Sequence, residues 1–121
     1  MSAEAELYAA LSGFSGLAAL VGARIYPDAV PEGNALPAVV YQRLETELTT
    51  TISGAVVAED VKFSIAAWAE TRAAADASAD QIALALAAAG NPATDRSAEY
   101  DAEIGAYACT TTCQWWRSIW A

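Results

Sequence analysis

Residues 59–89 read EDVKFSIAAWAETRAAADASADQIALALAAA, and within this stretch the apolar period changes. From Glu59 to Trp68 the residues alternate. Val61, Phe63, Ile65 and Ala67 fall on one side and Lys62 and Ser64 on the other, as on a strand with one face in a core. From Thr71 to Ala89 the spacing is helical: Ala75, Ala79, Ile82, Leu86 and Ala89 form one stripe, with Asp76, Asp80 and Gln81 off it. A strand running into a helix predicts a sheet with that helix laid on its apolar face. Leu84 falls roughly opposite the stripe, which leaves two readings: a contact with another subunit, or ordinary surface exposure.

Upstream, Ala3 to Leu11 is a helix candidate with Ser2 as N-cap, Glu4 and Glu6 near the positive end of its dipole, and Leu7 and Leu11 on one face. Ser12-Gly13 interrupts it, and Leu17, Leu20 and Val21 continue an apolar face until Gly22. Arg24-Ile25-Tyr26 reads as a brief strand closed by Pro27. The stretch from Asp28 to Pro37 is a proline-rich loop, and Ala38 to Leu44 a central strand. Glu45 to Ala58 holds Thr49, Thr50 and Thr51, then Ser53-Gly54. It reads as an extended hairpin or loop that lacks large anchors, mobile in a free subunit and ordered by a partner.

Downstream, Gly90-Asn91-Pro92 ends the helix, a strand follows near Ser97 to Tyr100, and a turn at Asp101 to Gly105 leads into a closing strand from Ala106. The order helix, strands, helix, strands gives an α+β class: a mainly antiparallel sheet with two helices packed on one face. Its length of 121 residues fits a single domain over residues 1–121. Trp115, Trp116 and Trp120 crowd the C-terminus. Alternation puts Trp115 and Trp116 on opposite faces, so core packing and a subunit contact are both open to this cluster.

The chain is 55% apolar and 17% charged, which supports a packed interior. Six basic residues against fifteen acidic ones give a net charge of −9, the wrong sign for gripping phosphates. The excess suits a channel wall along which DNA slides without specific binding; solubility alone would also account for it. Cys109 and Cys113 lie four apart along a strand, about 13 Å, too far for a disulfide. With no histidine and two cysteines, no metal site and no cofactor site are expected. No phosphate-binding loop or dinucleotide turn is present, and the usual base of nucleophilic catalysis is missing, so no catalytic residue is assigned. The first residues lack the basic start of an export signal and no apolar run is long enough to span a bilayer, which points to a cytoplasmic or particle-borne protein without a membrane partner.

The succession of motifs resembles a known family. The run LYAALSGFSGLAALVGARIYPDAVPEGNALPAVVYQRL, residues 7–44, is similar to the opening of the siphophage tail terminator, or tail completion, proteins, which also occur in gene transfer agents. VKFSIAAWAET resembles the family's strand ending in tryptophan, RAAADASADQIALAL its second helix, and YDAEIGAYACTTTCQWW its closing hairpin. The threonine-rich segment and the C-terminal tryptophans depart from the pattern.

The resemblance implies a non-enzymatic virion protein of the tail neck, assembled in the host cytoplasm. It implies a ring of identical subunits, a hexamer, that caps the tail-tube protein and meets the head-completion proteins while DNA passes through the lumen. Another connector ring, such as a head-closure or tube-like subunit, and a small-molecule-binding α+β domain are the alternatives. Thr49, Thr50, Thr51, Leu84, Trp116 and Trp120 are the expected interface residues.

Overall fold

A computed structural model describes residues 2–31 and 35–118. Its centre is the alternating stretch quoted above, which forms β3 (Val56–Ala69). Val61, Phe63, Ile65, Ala67 and Ala69 are fully buried, and Lys62, Ser64, Ala66 and Trp68 between them are half-buried. Around it stand β1 (Ile25–Pro27), β2 (Ala38–Thr50), β4 (Ala93–Asp101) and β5 (Ala106–Ser118). They form a five-stranded sheet in the order β1-β2-β3-β5-β4. Among the described residues only the β1–β2 pair is parallel.

The expected α+β class and mainly antiparallel sheet are present, but the helix count is corrected. Among the described residues there are three helices where the sequence reading gave two: α1 (Ala3–Ser12), α2 (Ser15–Val21) and α3 (Arg72–Ala88). The break at Gly13-Phe14 separates the first two. Gly13 closes α1 with its N–H on the Ala9 carbonyl, and a side chain there would press on that oxygen at 2.9 Å. The local signals act as expected at two N-caps. Ser2 Oγ accepts from the Ala5 N–H at 3.1 Å and Thr71 Oγ1 from the Ala74 N–H at 3.2 Å. Gly90, at φ 83, lets the chain turn left-handed off α3 while the Asn91 N–H reaches back to the Leu86 carbonyl.

The core joins Leu7 and Leu11 of α1, Leu17 and Val21 of α2, and Ile82, Ala85 and Leu86 of α3 to Val61, Phe63 and Ile65 of the sheet. Truncating Phe63 in such a site costs about 3–5 kcal/mol. Ala75 and Ala79 of α3 meet Ala69 and Cys109 in a second cluster, where the missing side-chain bulk lets helix and sheet approach closely. Ala89, placed in the buried stripe by its spacing, is exposed because it caps the helix, and Ser78 and Ala85 are buried in addition.

The stretch read as an extended hairpin or loop forms a hairpin, and one other strand starts earlier than its sequence suggests. β2 runs on past Leu44 to Thr50, and β4 begins at Ala93 instead of near Ser97. Neither extension has an apolar alternation. Each is held by its hydrogen-bonded ladder, β2 to β3 and β4 to β5.

Candidate assembly surface

Past Val61 the sheet leaves the core behind, and β2 and β3 continue as an exposed hairpin. Its base is fixed by ion pairs from the first turn of α1. Arg43 grips Glu4 with two nitrogens, at 2.9 and 2.6 Å, and also donates to Thr46 Oγ1 at 2.7 Å. Arg117 on β5 donates to Glu6 at 3.1 Å and to Glu59 at 3.0 Å. The Arg43 hydrogen bond holds the Glu4 carboxyl below its ordinary range, and the same bond raises the Arg43 guanidinium. A register shift at Leu44, between Arg43 and Glu45, marks the point where the hairpin leaves the body.

At the far end Thr51 organises the turn. Its N–H donates to the Ala55 carbonyl at 2.8 Å, its Oγ1 accepts from the Ala55 N–H, and its carbonyl accepts from Gly54, whose φ is 90. Ile52 stands at the apex with its side chain fully in solvent, at 110% relative exposure. Leu44, Leu48 and Val56 are further exposed apolar residues on the hairpin. From Thr49 to Ala58 no residue carries a charge.

The strand registers assign faces. Thr49 pairs with Ala58, Ala58 with Ser118, and Asp60 with Trp116, so all five lie on the sheet face opposite the buried β3 residues. Thr49, Val57, Ala58, Trp116 and Ser118 line a shallow groove of about 430 Å³. The structure therefore brings Thr49 and Trp116 together, as two of the expected interface residues. Thr50 and Thr51 adjoin them at the hairpin end. Leu84 is exposed on α3, whose packing is on the other face of the sheet, so it does not join this groove. Trp120 lies outside the described residues. The two adjacent tryptophans divide as alternation requires: Trp115 is 4% exposed and Trp116 58%.

The same open face carries Glu45, Glu47, Asp60, Asp95 and Glu99, with Lys62 among them, by their pairings with Gln114, Trp116, Thr112 and Ala108 across the sheet. At its other end a second groove of about 420 Å³ is lined by Asp28, Ala29, Val30, Leu36, Val40, Trp68 and Ile104. Sequence reading missed Ile52 and this groove. A β-branched residue in a Thr-Ile-Ser-Gly turn was the available signal for the first, since isoleucine has no turn chemistry of its own. The groove joins residues from three separate regions of the chain and leaves no local signature.

Cys109 and Cys113 are free, buried thiols, as their spacing requires. Burial raises both, Cys113 to about 11. Among the described residues no group of three or more His, Cys, Asp or Glu side chains is placed to hold a metal ion, and no helix is long and apolar enough to cross a membrane. The strongest surface feature is thus a hairpin with an uncharged tip and exposed apolar residues, mounted on a fixed base.

Residues 5–118 match the family described as tail completion protein gp17. The chain belongs to that family. Membership bears out the resemblance read from the motifs and makes the chain a structural protein of a phage-type tail particle. A chain from a solved structure, "Virion of native gene transfer agent (GTA) particle", shares the fold with a TM-score of 0.64. It is 22% identical, and the match covers 93% of this chain and 91% of that one. No curated protein matches in sequence. Of the departures from the family pattern noted in the sequence, the threonine-rich hairpin and Trp116 sit side by side on the tail completion subunit's open face.

Proposed function

We propose that this tail completion protein is a non-enzymatic tail terminator: identical subunits close into a ring, the hexamer implied by the family resemblance, that caps the tail tube at the neck and presents its other side to the head-completion proteins. The observation that carries the reading, beyond family membership, is the projecting hairpin with its uncharged tip and the Thr49–Trp116 groove beside it. A cap must bind the growing end of the tube without reproducing that end, and a ring must close on itself. A fixed base with an exposed, apolar arm supplies distinct surfaces for these contacts. Glu45, Glu47, Asp60, Asp95 and Glu99 on the open face would repel DNA if that face lines the lumen, so DNA passes without specific binding.

Deleting the gene tests the role. Heads and tails should remain unjoined, with tubes of abnormal or variable length. Tubes of normal length beside heads that leak DNA would instead assign the chain to head closure, and normal joined particles would remove it from the neck.

A further inference from the structure

We propose that the Ile52 tip of one subunit's hairpin seats in the groove formed by Val30, Leu36, Val40, Trp68 and Ile104 of a second copy of this chain, and that this knob and hole make the repeating contact of the assembly. The inference rests on the ring reading above and names the contact that closes it.

An isoleucine wholly in solvent at the apex of a turn contributes nothing to the subunit's own packing. The turn itself is held by Thr51, Ser53 and Gly54 and would form without it. With Leu48 and Val56 also exposed on the hairpin, the tip presents apolar surface that another molecule can bury. The groove has the complementary chemistry, with Ala29, Val30, Leu36, Val40, Trp68 and Ile104 in its lining and Asp28 the one ionisable side chain among the described residues that line it. Its volume of about 420 Å³ has room for an isoleucine and its turn neighbours.

Tip and groove cannot meet within one chain. Val40 and Trp68 lie at the end of the β2–β3 pair remote from the turn, and β2, with 13 residues at ~3.3 Å each, is about 40 Å long. The contact has to be between molecules. Charge selects a second copy as the occupant. Each subunit carries −9, so most of its surface repels its own kind, whereas the tip from Thr49 to Ala58 is uncharged and the described lining of the groove holds a single carboxylate, Asp28. A knob at one end and a hole at the other form a heterologous contact, which repeats around a ring if the rotation closes.

The test uses the full chain carrying Ile52→Cys and Ile104→Cys together, treated with a short bis-maleimide and run on a denaturing gel. Both positions are exposed, at 110% and 63%, so the substitutions leave the core intact, and Cys109 and Cys113 are buried. A ladder of covalent oligomers ending at the ring size is expected for the double variant, with each single variant staying monomeric on the gel. Ile52→Asp should weaken self-association at least tenfold in sedimentation while its thermal midpoint stays unchanged. If the native protein sediments as a ring and the double variant gives no ladder, this contact is wrong and the ring stands. Dimers from Ile52→Cys alone would mean a tip-to-tip contact and overturn it equally. A native protein that stays monomeric at every concentration, alone and with tail tubes, removes both.

Discussion

The indole Nε1 of Trp115 donates to Oε1 of Glu6 at 3.1 Å, tying the closing strand to the first turn of the first helix. The neighbouring Trp116 turns its ring the other way, into the groove with Thr49. Trp115→Ala should therefore cost about 3–5 kcal/mol in chemical denaturation, since a buried aromatic is lost together with its hydrogen bond. Trp116→Ala should change subunit stability by no more than about 1 kcal/mol and weaken assembly instead. Equal, large losses of stability in both variants would remove Trp116 from the interface.

The Glu4–Arg43 pair predicts a specific acid response. Arg43 lowers the folded-state pKa of Glu4 below its ordinary 4.5, so the stabilisation is fully present above that value and is lost as pH falls through the lower folded value. The Glu4 side chain is 40% exposed, which keeps the contribution below about 1 kcal/mol. Glu4→Gln should lower stability at neutral pH and flatten the pH dependence below 4.5. A variant with the same slope as the native chain would show that the pair does not contribute.

The two thiols should be inert in the folded subunit. The thiolate is the reactive form, and burial pushes Cys113 to about 11 and also raises Cys109. At pH 8 a thiol reagent should therefore label neither in native protein and both after unfolding. Rapid labelling of folded protein would place one of them at the surface.

The sequence made the core legible and the periphery less so. In β3 and α3 the residues that alternate or repeat are the ones that become buried, because burial drives their packing and imposes the periodicity. The Trp115 and Trp116 facings followed from the same period of two. The third helix was hidden by the short break at Gly13-Phe14, across which the apolar face continues through Leu17 and Val21. The hairpin was legible in its threonines and its Ser53-Gly54 turn signal, but how far β2 pairs with β3 was not, because that depends on the ladder between them. Of the interface expectations, Thr49 and Trp116 converge in space, while Leu84 stands apart because it belongs to a helix on the other sheet face.

The hairpin's two strands should differ in amide exchange, and the difference should vanish on assembly. β1 pairs with β2 only from Val39 to Tyr41, so beyond that point β2 is an edge strand with one of its two sides unpaired. β3 lies between β2 and β5 down to Ala58, so its amides are paired from both sides. In the free subunit, exchange should be fast across Leu44 to Ala55, wherever the amide points away from β3, and slow from Ala58 to Ala69. An assembled ring that buries the hairpin should bring Leu44 to Ala55 to comparable protection. Strong and equal protection of Leu44 to Ala55 in free subunit and particle would mean the hairpin is rigid without a partner. It would then offer its neighbour a preformed arm instead of an edge that orders on contact.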